Sequence, residues 1–549
     1  MHPLRPHARL ATHEVFNQPP PRGDEDLLEG DPVLARGLAA FGGARWRERI
    51  GAFARACGAA EVREESRLAN ANPPQLRAFD RYGHRLDEVE FHPAYHRLMA
   101  LGLEGGVSSA AWEEDGGHLL HATLLYLMTQ ADAGVVCPMS MTHAAVAALR
   151  HAPDLAAAFL PRILARRYDP RALPASDKAG VTLGMAMTEK QGGSDVRANT
   201  TVAEPDGEGV RLVGHKWFCS APMSDAFLTL ARLDDALTCF LVPRWRPDGS
   251  RNAFHVMRLK DKLGDRSNAS SEIEYHGAFA WQVGEAGRGI PTIIGMVQET
   301  RLDCVAGSAA GMRAALVEAV WHARHRSAFQ KRLVDQPAMT AVLADLALES
   351  AGATALALRL AAAFADAARG DERAAVFARL ATPVAKFFLC KRQPGFVAEA
   401  MECLGGAGYV EEGPMPRLFR QSPLNAIWEG SGNVIALDVL RAIGREPESL
   451  AAVEAELAGL AGLHPAGAAH LERLAAWRAP GALHEGTARA FVIDLALALV
   501  AAALVRLGEE RLAAAWCAGR LSADARPALY GAGVPAADAR ALVEAVVPG

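Results

Sequence analysis

Met187-Thr-Glu-Lys-Gln-Gly-Gly-Ser-Asp195, followed by Gly214-His-Lys-Trp-Phe-Cys-Ser220, lies in the one strongly strand-like part of this 549-residue chain. Around it, Val210-Arg-Leu-Val213, Ala226-Phe-Leu-Thr-Leu-Ala231, Thr238-Cys-Phe-Leu-Val242 and Glu272-Ile-Glu-Tyr275 are short alternating or apolar runs. Asp206-Gly207 and Pro247-Asp-Gly249 separate them with turn residues, the pattern of a compact β unit. On both sides the spacing turns helical, as in His118-Leu-Leu-His-Ala-Thr-Leu-Leu-Tyr-Leu-Met128 and the Ala- and Leu-rich stretch from Ala338 to Ala368. Asn70-Ala-Asn-Pro-Pro74 and Asp80-Arg-Tyr-Gly83 read as loops that divide the N-terminal helices. The expectation is an α+β multidomain chain. It has an extended arm at 1–32, a helical domain at 33–180, a β domain at 181–285, a helical domain at 286–445 and a further helical domain at 446–549.

Half of the residues are apolar and 22% are charged, ordinary for a soluble globular protein. The net charge of −5 gives no global attraction to nucleic acid or to an anionic membrane. Eight scattered cysteines without a CxxC pair point to reduced thiols and a cytoplasmic protein, with Cys219 a packing residue. The start of the chain lacks the apolar core of a signal peptide, and the run Leu495–Val505 is too short to span a membrane. No HExxH or similar metal pattern occurs among the 18 histidines, and His322 and His325 read as surface residues.

Three segments carry chemistry. In the first, Gly192-Gly193 lets the backbone approach a ligand closely, and Thr188 and Ser194 offer hydroxyls, suited to the edge of a flavin ring or a pyrophosphate. In the second, Trp217 beside Phe218 and Ser220 can stack on a flat ring and donate to its edge, while His215 and Lys216 read as solvated. In the third, Ile427-Trp-Glu-Gly-Ser-Gly-Asn433, Glu429 stands among glycines ahead of an apolar helix. A carboxyl in a partly dry pocket there becomes a usable general base; alone, it would read as an acid at a helix N-terminus. Arg326-Ser-Ala-Phe329 with Gln336, and the glycine loop Leu404-Gly-Gly-Ala-Gly-Tyr409, look like nucleotide contacts. Together the three segments point to a flavoprotein.

In this order the segments resemble the acyl-CoA dehydrogenase family over roughly residues 50–445. The resemblance implies a helical domain, a β domain and a second helical domain, with FAD in a cleft between the β domain and the C-terminal helices. It implies that Met185, Met187, Thr188, Gly193, Ser194, Trp217, Phe218 and Ser220 meet FAD, as do Ile427, Trp428, Gly430, Ser431 and Asn433. It implies that Arg326, Phe329 and Gln336 reach the FAD of a neighbouring subunit in a homotetramer, and that Glu402, Gly405 and Gly406 contact that same cofactor. Glu429 falls at the commonest position of the family's catalytic base, which takes the α-proton of an acyl-CoA thioester. Thr300, before Arg301, fills the place where some members carry the base instead. Gln330 stands where the family usually has glycine, and Glu402 where many members have glutamine.

A closer similarity is to the family's AidB-like branch. It rests on Thr12-His-Glu-Val-Phe-Asn-Gln-Pro19, Arg67-Leu-Ala-Asn-Ala-Asn-Pro-Pro74, Arg85-Leu-Asp-Glu-Val-Glu-Phe-His-Pro93, Trp112-Glu-Glu-Asp115 and Lys260-Asp-Lys-Leu-Gly264. That branch implies an extra C-terminal helical domain, binding of double-stranded DNA, a role in the response to alkylation and weak acyl-CoA dehydrogenase turnover. The alternative is an active dehydrogenase of short or branched acyl-CoA. After Arg445, eight arginines and no lysine stand against twelve acids, a net of −4, so DNA affinity would need a local arginine cluster. Arg441, Arg511 and Arg520 are the candidates.

Overall fold

The computed structural model describes residues 7–523 and 536–547. Its scaffold is three long helices, Gly289–His325, Pro337–Ala368 and Glu372–Glu402, packed against one another and against Gly117–Ala131. The middle of Pro337–Ala368, Leu343 to Leu358, is buried without a break, as expected of a helix at the centre of a bundle. Gly289–His325 and Glu372–Glu402 run in the same direction. The Ser308 hydroxyl lies 3.3 Å from the Cys390 sulfur, and one turn further on Gly311 backs onto Gln393.

The strands of the large sheet all fall between Leu183 and Val283, and five of them close a ring. Ala226–Leu233 pairs with Ala236–Pro243, which pairs with Ser270–Val283, then Gly209–Ser220, then Val202–Asp206, which returns to Ala226–Leu233. Leu183–Ala186 adds in parallel to Ala226–Leu233, and Phe254–Leu259 adds to Ser270–Val283. Closure removes the free edges that an open sheet would expose.

Two sequence expectations change. The N-terminal helical region contains an antiparallel hairpin, Gln75–Phe79 with Arg85–Glu90, and Asp80-Arg-Tyr-Gly83 is its turn rather than a break between helices. The short polar alternation of Arg85-Leu-Asp-Glu-Val-Glu90 was the available strand signal. His322 is buried against the bundle, not on the surface. Pro337–Ala368 and Ala488–Arg506 are long and apolar enough to cross a membrane, yet 89% and 72% of their most apolar windows are buried within the protein.

Ala488–Arg506 packs on both Pro337–Ala368 and Glu372–Glu402, with Trp516 donating to the Leu497 carbonyl at 2.9 Å. All eight cysteines are free and buried, and burial pushes Cys219 up to about 12, consistent with a packing role.

Candidate functional site

The first two segments are fastened to each other by a buried ion pair. Lys216, expected to be solvated, is instead fully buried, and its ammonium donates to Glu189 Oε1 at 2.7 Å and to the Leu230 carbonyl at 2.8 Å. Glu189 also accepts from the Thr201 hydroxyl at 2.6 Å and the Thr200 amide at 2.7 Å. Burial alone would raise the Glu189 carboxyl, but Lys216 and these donors hold it at about 2. The Trp217 amide then donates to the Thr188 carbonyl at 2.8 Å, so the loop and the strand become one surface.

The strand is irregular where it matters. Its pairing with Ser270–Val283 shifts register between Lys216 and Cys219, which breaks the strict in–out alternation. Lys216 and Cys219 face inward, and the two consecutive aromatics Trp217 and Phe218 both reach the accessible side, Phe218 being 51% exposed. Lys260 Nζ sits 3.2 Å from the centre of the Trp217 ring. Alongside lie Thr188 and Ser220, partly exposed, and Gly193 and Ser194, exposed. The third segment joins them through packing: Met185, Met223 and Trp428 close on a small apolar cluster of Cys137, Met141 and Ala221.

Beside Trp428, Glu429 adopts a left-handed φ of 56°, costly for a residue with a side chain, and is held there from several directions. Lys386 donates to the carbonyls of Trp428, at 2.7 Å, and Gly430; Arg301 Nε donates to the Glu429 carbonyl at 3.2 Å. Arg301 is itself fixed by Asp438 at 2.7 Å. The Thr300 hydroxyl donates to Glu429 Oε2 at 2.7 Å. Burial raises the Glu429 carboxyl above its ordinary value, against the opposing pull of Thr300, Arg301 and Lys386. Sequence reasoning missed Lys386, Asp438 and Glu189. Each acts through a partner distant in the chain, and residue type alone does not reveal that partner, even for Glu189 inside the Met187–Asp195 segment. Ile427 is 63% exposed, Asn433 is exposed, and Gly430 and Ser431 are partly exposed at the start of Gly432–Arg445.

The remaining nucleotide candidates lie elsewhere. Arg326 is 26 residues beyond Thr300 along one helix, about 39 Å at 1.5 Å per residue. Glu402 ends the parallel helix Glu372–Glu402 and Gly405 and Gly406 follow it, so all three lie toward that same end of the bundle. Glu402 and both glycines are exposed, and Phe329 is 93% exposed. Within one chain Arg326, Phe329, Gln336, Glu402, Gly405 and Gly406 are therefore not brought to Glu429. Phe329 and Gln330 form a two-residue turn with φ of 50° and 65°, so Gln330 takes a glycine-like backbone without being glycine.

Beneath the Glu429 region the bundle holds a polar network. His121 pairs through Nε2 with Asp303 at 2.8 Å, and its Nδ1 donates to the Val107 carbonyl, 2.6 Å away. His143 lies 3.2 Å, and His118 3.4 Å, from Glu299. Ligating atoms of His121, His143 and Asp303 lie within 4.8 Å of one another, a grouping that no sequence spacing announced. The His121 and His143 rings are stacked, 3.6 Å between centres, which is poor geometry for aiming both lone pairs at one ion. Burial would lower His121, but Asp303 lifts it; burial and the neighbouring His121 lower His143.

Of the arginines expected at DNA, Arg520 must be withdrawn: it is buried, donating to Asp345 at 3.0 Å with Glu349 at 3.7 Å. A guanidinium buried between two carboxylates is closed off from a phosphate in solution. Arg511 is mostly exposed but paired with Asp538 at 3.1 Å, and Arg441 is exposed.

Residues 17–170 match the Adaptive response protein AidB N-terminal domain, residues 184–278 the acyl-CoA dehydrogenase middle domain, and residues 287–444 the acyl-CoA dehydrogenase C-terminal domain. The AidB protein of Escherichia coli (strain K12) is 48% identical over 79% of this chain and 81% of its own length. Acyl-CoA dehydrogenase family member 11 of Caenorhabditis elegans is 33% identical over 69% of this chain and 64% of its own length. The crystal structure of C. elegans ACDH-11 in complex with C11-CoA superposes with a TM-score of 0.85 over 96% of each chain, at 27% identity. The chain therefore belongs to the AidB branch of the acyl-CoA dehydrogenase family, a family of FAD-dependent oxidoreductases.

Proposed function

We propose that the protein dehydrogenates an acyl-CoA thioester at its α,β bond, with Glu429 removing the α-proton. The observation that carries this reading is the Glu429 carboxyl: raised by burial, bonded to Thr300, and set on a strained backbone that Lys386 and Arg301 hold in place. FAD suits the adjoining surface. The bulge that turns Trp217 and Phe218 outward supplies flat apolar contact, and the Thr188, Ser194 and Ser220 hydroxyls supply polar contacts for a ring edge and a pyrophosphate. When bound, FAD supplies the hydride acceptor. The chain's own part is to orient the thioester and to hold the proton on a Glu429 oxygen, which needs a carboxylate that is ionised yet proton-avid. Arg326, Phe329, Gln336, Glu402, Gly405 and Gly406, gathered toward the far end of the bundle, would serve the FAD of another copy in a homotetramer.

Double-stranded DNA is a second reading. The match to an adaptive-response domain and the exposed Arg441 favour it, with Arg511 available once released from Asp538. A role in the cytoplasmic alkylation response would follow.

Anaerobic titration of FAD-loaded protein with an acyl-CoA panel, with and without duplex DNA at low salt, tests both readings. Bleaching of the flavin by at least one thioester supports the dehydrogenase. Absence of bleaching across short, branched and long chains removes it. Salt-sensitive retention of DNA supports the second reading, and no retention at low salt ends it.

Thr300 gives a pH handle. Its hydroxyl stabilises the ionised carboxylate, so Thr300→Val should raise the Glu429 pKa further and move the acid limb of the rate profile to higher pH by about one unit. A limb that stays put or moves down would mean that Thr300 does not bond to the working base.

A further inference from the structure

The geometry points to Asn17, on the N-terminal arm, as the residue that positions the Arg326–Gln336 hairpin for FAD contact. This rests on the reading above in which Arg326, Phe329 and Gln336 touch the cofactor.

The hairpin is weak by itself. Each strand has two residues, Ser327–Ala328 against Lys331–Arg332, too short to be stable alone. Its turn places Phe329 and Gln330 at positive φ, where Asn or Gly is the usual choice because other residues carry a steric penalty. Phe329 packs against nothing that would hold it, being almost wholly exposed. Something outside the turn must fix it.

Asn17 does so with both ends of its amide. Its Nδ2 donates to the Ser327 carbonyl at 2.8 Å, and the Ser327 amide donates to its Oδ1 at 2.8 Å. This is the two-bond exchange that a third strand would offer, supplied by one side chain. Arg326 Nη1 donates back to the Asn17 carbonyl at 2.7 Å, so the arm also orients the guanidinium. Asn17 has a φ of 56°, which asparagine tolerates well. Further along, Trp321 donates to the Pro20 carbonyl at 2.9 Å, and Arg22 pairs with Glu318 and Glu25. These contacts keep the arm along the end of Gly289–His325. From the hairpin's own side, Gln336 donates to the Ala328 carbonyl at 2.9 Å. The arm thus over-determines a turn that has given up its glycine.

The test uses full-length protein stripped of FAD and titrated with FAD by flavin fluorescence. Asn17→Gly removes the amide and keeps the left-handed backbone free of strain. It should weaken FAD binding about tenfold while leaving the melting temperature of the FAD-free protein unchanged. Asn17→Asp, which keeps the acceptor for the Ser327 amide and loses the donor, should fall between wild type and Asn17→Gly. Phe329→Ala and Arg326→Ala report on the underlying reading. If they lose FAD and Asn17→Gly does not, the role of Asn17 is overturned and the hairpin reading stands. If none of the three loses FAD, the hairpin is not a cofactor contact and both fall. A parallel loss of FAD-free stability in Asn17→Gly would overturn positioning in favour of a general structural role.

Discussion

Glu429→Gln should leave FAD bound at the wild-type level and slow reduction of the flavin by acyl-CoA by about a thousandfold, within the usual range for loss of a general base. Glutamine preserves the shape of the side chain and can still accept from Thr300, so the strained backbone at φ 56° and its ties to Lys386 and Arg301 should survive. What disappears is a basic oxygen in a site dry enough to make that oxygen proton-avid. Rapid-mixing absorbance under nitrogen measures the rate, and the flavin-to-protein absorbance ratio checks FAD content. Reduction at the wild-type rate would mean that another group removes the proton.

Lys216→Met should be the most destabilising single change at the surface proposed for FAD, by about 3–5 kcal/mol, the range for removing one partner of a buried ion pair. Methionine fills most of the volume, so the loss comes from Glu189, left ionised and buried with only hydroxyl and amide donors. The pH dependence follows from the sign of the wild-type shift. In the wild type Glu189 sits at about 2, below the usual carboxylate value. Its contribution is therefore complete above the unfolded pKa and is lost as pH falls through about 2. In Lys216→Met burial dominates and the carboxyl rises, so the variant regains relative stability as it takes up a proton. The gap in unfolding free energy between the two proteins should be widest near neutral pH and narrow toward pH 4, read by urea denaturation. A gap that is small and flat with pH would mean that the pair is not what fastens the loop to the strand. Because Thr188 and Trp217 are joined across this pair, FAD affinity should drop with stability.

Much of the fold was legible because hydrophobic period separates the strands between Leu183 and Val283 from the helices around them. The hairpin Gln75–Glu90 escaped because its strands are polar and half-exposed, and turn residues at Asp80–Gly83 are equally compatible with a break between helices. Within the site, glycines, aromatics and one acid announced themselves by type and spacing. Lys216 did not: a lysine beside an aromatic reads as solvated until a distant Glu189 is seen to meet it. The outward turn of both Trp217 and Phe218 depends on a register shift against Ser270–Val283, a property of two strands together. Arg520 shows the same limit from the other side, since its partners Asp345 and Glu349 lie far back in the chain.

The central claim is that Glu429 is a proton-avid base set beside a cofactor surface. It is tested most directly by following exchange of the thioester α-hydrogens with deuterated solvent, by proton NMR, in FAD-loaded protein. Exchange in the wild type should weaken as Glu429 becomes protonated, at a pH above the ordinary carboxylate range, and should be lost in Glu429→Gln. Equal exchange in both proteins would contradict it.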